Sequence, residues 1–510
     1  AIIDFTEANL AHADLRGWRL TADTDQNEEG DAIIDFTKAN LAFADLSGSE
    51  LEADVYLYAK IDFSEANLSH ADLSNSRLTA KALLGGIIDF TKADLTNADL
   101  SGSELEAEGA MSSYNDAVID FTEANLAFAD LGDSRLKAKG FYGKAKIDFE
   151  KANLANADLS GSSLTAESSR RDTAINFPEA ILANADLSGS KLIADGYYAT
   201  IDFTEADLAT ADLSNSALTA TAEGSVQPWG NHDVVRLATI DFAKANLTNA
   251  DLSGSRLTVA TTHHCRNCGI ISARPETIDF TDADLANADF SGSMLTAESI
   301  VGLPSPPPPS PPPQPPQPPP VPPRPPSPPL PPPPAPPCTV EMLRQRPAGD
   351  KSWPIACSHT TLGVATKELD LSEAHLSYGD FEDATFKGTG VVNLTKTGLA
   401  HADLSGSTVS AVGKQAQTID FRGANLTNAD LSGSKLTADS DGDRGERRDT
   451  GDSLIDFTGA DLANADLRGS RFTADSGNQE RQSDDDDGGD AIIDFTEANL
   501  AHADLSGWTL

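Results

Sequence analysis

The feature that most restricts this chain is an apolar residue at every fifth position, sustained through most of its length. From Phe36 the series runs through Leu41, Leu46 and Leu51, and the same spacing follows each Ile-Asp-Phe triplet. Those triplets begin at Ile3, Ile34, Ile61, Ile88, Ile119, Ile147, Ile201, Ile240, Ile278, Ile419, Ile455 and Ile493. Ile175-Asn176-Phe177 is a variant, and Leu369-Asp370-Leu371 and Val392-Asn393-Leu394 open two degenerate copies, making fifteen units. The unit reads Ile-Asp-Phe-Thr-x, Ala-Asn-Leu-x-x, Ala-Asp-Leu-Ser-Gly, Ser-x-Leu-Thr-Ala: four blocks of five. Five is neither the helical period of 3.6 nor the strand period of 2. Within a block, however, positions 1 and 3 are apolar or small and position 2 is Asp or Asn. Three extended residues would then point in, out and in, while positions 4 and 5 carry turn-tolerant residues suited to a corner. Four short sides and four corners close a square coil, and coils stacked about 4.8 Å apart pair backbone to backbone. The expected fold is an all-β parallel β-helix, a quasi-one-dimensional solenoid.

Blocks such as Ala8-Asn9-Leu10-Ala11-His12 and Ala13-Asp14-Leu15-Arg16-Gly17 match the motif A-[DN]-L-x-x. In these the chain resembles the pentapeptide-repeat family, over roughly 300 of its 510 residues. The resemblance implies a right-handed quadrilateral β-helix. A leucine-rich repeat needs L-x-x-L-x-L, which is absent. Coils 1 to 10 fill residues 1–297 and coils 11 to 15 fill 369–510; between them lie a proline-rich linker, 298–337, and a Cys-flanked connector, 338–368. Thirteen of the fifteen coils carry Phe on the first side, using 13 of the 20 phenylalanines. In register these rings form one internal column in offset contact, with small Ala on the opposing side making room.

Inserts separate the coils, all at the corner after the fourth side, which puts unbroken coil-to-coil pairing there in question. Tyr56, Tyr58, Tyr114, Phe141, Tyr142, Tyr197 and Tyr198 lie in these inserts. They either fold back to cover the edge of the helix or form a lateral contact strip for another rod or a glycan. Later inserts, such as that holding Asp484 to Asp487, read as solvated loops. The largest insert contains 25 of the 30 prolines, Pro304 to Pro337. Such a run takes the polyproline II form and would reach roughly 105 Å, against about 48 Å for ten stacked coils. It therefore either separates two rods or lies back along one. Pro-rich segments also bind SH3-type domains. Ser-Pro-Pro-Pro-Pro-Ser is nevertheless similar to extensin-like, hydroxyproline-rich wall glycoproteins of plants and green algae. That resemblance implies hydroxylation and O-glycosylation at Pro306, Pro307, Pro308, Pro309, Pro311, Pro312 and Pro313.

Lys plus Arg number 37 and Asp plus Glu 79, a net charge of −42. That excludes direct nucleic-acid binding, which needs clustered cations. No stretch approaches the ~18 apolar residues of a membrane span, so no membrane insertion is expected. No nucleotide loop, G-x-S-x-G elbow or HExxH is present, and His12, His70, His401 and His502 occupy outward fifth positions, so no catalysis is expected. His263, His264, Cys265 and Cys268 offer zinc ligands, but a structural site wants four and only one C-x-x-C is visible. A Cys265–Cys268 disulfide is preferred in an extracellular chain. A second disulfide, Cys338–Cys357, would clip the linker's end where the second rod restarts. Asn67, Asn246, Asn393 and Asn425 head N-x-S/T sequons, read as the outward second position of one block type, and would carry glycan in a secreted chain.

The second-position Asp residues would stack every ~4.8 Å along two sides, repelling by roughly 1 kcal/mol per neighbour in water. Local hydrogen bonds offset this, or bound Ca²⁺ does. Residues 1–20 and 491–510 agree at all but Arg16/Ser506 and Arg19/Thr509. This reads either as a recent single-unit duplication or as one period of a 490-residue higher-order repeat. With no initial Met, the chain reads as a processed product or a piece of something longer.

The expected function is structural: a fibre-forming extracellular glycoprotein of a surface, wall or flagellar filament. Its partners would be copies of itself, end to end and laterally, with covalent glycans and no cofactor; open rod ends would favour addition. The alternative comes from the family resemblance, some of whose bacterial members mimic DNA in shape and charge and inhibit DNA gyrase.

Overall fold

A computed structural model describes residues 1–23, 30–109, 116–224, 237–263, 276–302, 338–346, 355–364, 367–413, 415–440, 452–475 and 491–509. In each coil the alternation apolar, polar, apolar becomes buried, half-exposed, buried, as at Ala8, Asn9 and Leu10. Corners form where the chain can turn on one hydrogen bond: the Ala8 amide donates to the Phe5 carbonyl at 2.9 Å, with Glu7 at φ 56°. That is a type II turn, whose third residue needs positive φ. The third corner meets this need with Gly17 and its equivalents Gly48 and Gly102, while the second most often uses Asn, as at Asn97 and Asn156.

All strand pairing is parallel and in register, Ile34 opposite Ile61 and Ile61 opposite Ile88. The first sides form a single 16-stranded sheet. The fourth sides form one sheet of ten strands and another of five. Second and third sides pair through single bridges, Asn40 to Asn67 and Asp45 to Asp72.

The order of the 16-stranded sheet gives the architecture. Strand Ala491–Asp494 of coil 15 pairs with Ile2–Asp4 of coil 1, so the second rod stacks onto the start of the first. The thirteen repeat phenylalanines consequently make one column, from Phe421 through Phe457, Phe495 and Phe5 to Phe280. Their neighbouring centroids are 4.6 to 5.1 Å apart. Sixteen strands leave fifteen intervals, about 72 Å at the strand spacing. The proline-rich segment, Pro304 to Pro337, lies outside the described residues.

Three sequence readings change. Ser299–Val301 adds a first-side strand beyond residue 297, with Ile300 opposite Ile278. Within the connector, Thr361–Gly363 pairs with Thr385–Gly388, and Ala356 bridges to Asp380, forming half of a further coil. Pairing also persists through the short inserts, where Leu83 and Leu84 donate to the Tyr56 and Leu57 carbonyls at 3.2 and 3.1 Å. These inserts satisfy their backbone groups on one another, as buried or edge amides must.

Candidate functional site

Three surfaces are candidates: the junction between coils 15 and 1, the two ends of the solenoid, and its decorated faces. At the junction, chain segments far apart in sequence meet with the same bonds that join consecutive coils. The Phe495, Leu500 and Leu505 amides donate to the Asp4, Asn9 and Asp14 carbonyls at 2.7, 2.7 and 2.6 Å. One coil further on, the equivalent amides of Phe5, Leu10 and Leu15 make the same bonds at 2.7, 2.7 and 2.6 Å. Phe5 stacks on Phe495 at 5.1 Å and Trp18 on Trp508 at 5.7 Å. Outside, His12 stacks on His502 at 4.7 Å, and the Asn9 amide donates to Asn499 Oδ1 at 3.2 Å. Beside the junction lies a cavity of about 350 Å³ between Arg19–Asp23 and Arg471–Asp475.

The ends differ. At the start of the second rod the helix Val340–Arg344 buries Leu343, with the Thr339 hydroxyl capping the Met342 amide. A disulfide joins Cys338 to Cys357 across a Cα separation of 5.3 Å. This end is covered, contrary to the expectation of uncapped ends. Coil 10 at the other end leaves Leu285, Phe290 and Leu295 only partly buried and Met294 55% exposed.

The acidic columns are held by their own chain. Oδ1 of Asp35, Asp89 and Asp120 accepts the amide two residues on at 2.8 to 2.9 Å, and Asp45 and Asp99 also accept a serine hydroxyl at 2.6 Å. Cations interleave locally. Lys60 bridges Asp62 and Asp89, reaching the latter at 3.0 Å. At Asp89 burial pushes the carboxyl up, but Thr91 and Lys60 outweigh it and the pKa falls below the ordinary value. At Asp241, between Asp202 and Asp279, burial and then the neighbouring carboxylates hold the pKa above it. No three His, Cys, Asp or Glu among the described residues are grouped to hold a metal ion.

Of the insert aromatics, Tyr56, Tyr58 and Phe141 are 44 to 47% exposed. Phe141 and Tyr142 meet edge to face, Arg170 lies over Tyr142 at 4.8 Å, and Tyr197 packs edge-on against Tyr198. Tyr114, Cys265, Cys268, His264 and the proline candidates Pro306 to Pro313 lie outside the described residues, as does the side chain of His263. The four sequons do not share one side. Asn67, Asn246 and Asn425 stand on the second side, whereas Asn393 pairs with Asp420 on the first. Asn67 and Asn246 donate their amides along the column, to Asn40 and Asp207.

An exposed aromatic column escaped the sequence reading. His502, His12, Phe43 and His70 stack at 4.6 to 4.9 Å on corner residues of positive φ, and Tyr378 stacks on His401. Its sequence signal is Phe43 and Tyr378 at a position where seven of the fifteen coils have Asn.

The family model for pentapeptide repeats matches eight copies, over residues 59–80, 235–260, 419–438 and 453–473. Comparison with curated proteins gives no significant match. Among solved structures, the chain is similar to HetL, a pentapeptide repeat protein involved in heterocyst differentiation regulation from the cyanobacterium Nostoc sp. strain PCC 7120. The identity is 22% and the TM-score 0.18, over 58% of this chain and 94% of that one. QnrB1, a plasmid-mediated fluoroquinolone resistance protein, is 15% identical with a TM-score of 0.22, over 56% and 93%. The pentapeptide-repeat motif is thus matched in eight copies, and the described coils close into a four-sided parallel β-helix.

Proposed function

We propose that this is a structural protein that works by coil-on-coil docking, extending a solenoid from segments that are separate in the chain. One observation carries this reading: coil 15 recognises coil 1 through the ladders and the Phe column that join covalent neighbours. A face that can be filled from a distant part of the chain can also be filled by another copy, at a rate set by effective concentration. We place the assembly outside the cell, on a surface, wall or flagellar filament, with glycan on the proline-rich segment. The Cys338–Cys357 disulfide suits an oxidising compartment.

Electron microscopy of native material tests the proposal. Rods or fibres that lengthen with protein concentration are expected, with glycan detected on the proline segment. Discrete, unglycosylated particles at every concentration would overturn it. The acidic columns also support a second reading, mimicry of a nucleic-acid surface toward a topoisomerase. Inhibition of supercoiling by the discrete particle would favour that reading, although the column oxygens already accept the chain's own amides.

A further inference from the structure

The two coils that meet at the junction are near-copies, and their only two differences fall on the contact itself. Thr509 stands in register between Arg471 of coil 14 and Arg19 of coil 1. Ser506 lies between Arg468 and Arg16: its carbonyl accepts the Gly469 amide at 3.1 Å, and the following Gly507 amide donates to Arg16 at 3.1 Å. At both places coil 1 has arginine. Were coil 15 identical to coil 1, each position would set an arginine between two others.

The fourth side would suffer more. Beyond Arg471 its next partner is Lys435, so four cations would follow one another before Glu50, which pairs with Arg19 at 2.6 Å. On the third side carboxylates are interleaved. Arg468 and Arg16 each clasp the Asp two residues earlier, and their Nε atoms approach Asp504 and Asp45 of the next coil at 3.6 Å. Inside, the meeting coils differ from their neighbours in shape. Trp18 and Trp508 are fully buried where the flanking coils have Ser49 and Ser470. The two indoles stack on each other, and Trp508 meets Phe472 edge-on at 4.8 Å.

We propose that Thr509 and Ser506, by omitting charge, and the Trp18–Trp508 pair, by filling the core, are specificity determinants that dedicate the coil 15 face to coil 1 of this chain. This rests on the docking reading above, and it names the partner face and the residues that choose it.

Amide hydrogen exchange of the full chain provides the test, followed at Asn9, Asp14, Leu500 and Leu505. The double variant Ser506→Arg/Thr509→Arg makes coil 15 identical to coil 1. Its junction amides should exchange roughly ten- to thirtyfold faster at low salt, two added like-charge contacts at this spacing being worth that much. They should return toward the wild-type rate in 1 M salt, where screening is nearly complete. Thr509→Glu should match or slow the wild-type rate, and Trp508→Ser should speed exchange at both salts. Protected Leu126 and Leu131 amides in coil 5 would show that the rod remains folded. Wild-type exchange in the double variant, or an acceleration insensitive to salt, would overturn the proposal. Unprotected junction amides in the wild type would instead remove the docking reading itself.

Discussion

Asp241 is the place where the stacked carboxylates should cost most. It lies in register between Asp202 and Asp279, while Lys60 bridges the same column at Asp62 and Asp89. Neighbours at about 4.8 Å repel by roughly 1 kcal/mol each in water, and salt reduces this. Replacement by Asn keeps the Oδ1 that accepts the Ala243 amide at 2.8 Å. The column already tolerates this residue at Asn176, between Asp148 and Asp202. Asp241→Asn should therefore stabilise the fold by about 1 kcal/mol at pH 7 and low ionic strength, after allowance for screening. The sign follows from the raised folded-state pKa: burial, then the two neighbours, disfavour the ionised form in the folded chain. Ionisation thus weakens the wild type as pH rises through that raised value. The penalty is absent below the ordinary carboxylate value of about 3.9. Thermal unfolding from pH 3 to 7 is the assay. A gain that appears as pH rises and shrinks in 1 M salt is expected. A loss of stability, or a gain independent of pH, would refute the reasoning.

Other perturbations follow from the same geometry. Phe121→Ala removes a fully buried ring from the column and should cost about 3–5 kcal/mol, read by denaturant unfolding. Arg468→Ala acts on Asp466, where burial pushes the pKa up but the bonds and charge of Arg468 bring it below the ordinary value. That contribution is present above the unfolded carboxylate pKa and lost as pH falls through the folded one, so the variant should show a weaker loss of stability on acidification. Cys357→Ser opens the link to Cys338 and should speed proteolysis near the helix Val340–Arg344 while coils 2 to 9 stay resistant.

The square coil was legible because each block position meets one environment in every unit. Ala8, Asn9 and Leu10 have the same burial as Ala152, Asn153 and Leu154. Degenerate copies weaken that signal: Val392-Asn393-Leu394 opens a first side, yet its Asn393-Leu394-Thr395 sequon reads like those of the second side. Phe43, Phe128 and Tyr378 were missed because the fifth position was read as a corner, with no role for a large ring. Stacking across coils joins Phe43 to His12 and His70, and Tyr378 to His401. The docking of coil 15 on coil 1 has no local signature, since a β-helix face does not encode which chain segment must cover it. Its trace is the near-identity of residues 1–20 and 491–510, which by itself reads as a single-unit duplication or a higher-order repeat and not as two faces in contact.

Docking is most directly tested by pairing Ala11→Cys with Ala501→Cys in the full chain. The His502 amide donates to the Ala11 carbonyl at 2.9 Å, and equivalent positions one coil apart lie at about 4.8 Å, within the Cα range of a disulfide. In dilute protein under mild oxidation, the account predicts a crosslink formed within single chains and seen as a monomer of altered mobility without reductant. Two cysteines that stay unlinked while the coils remain folded would contradict it.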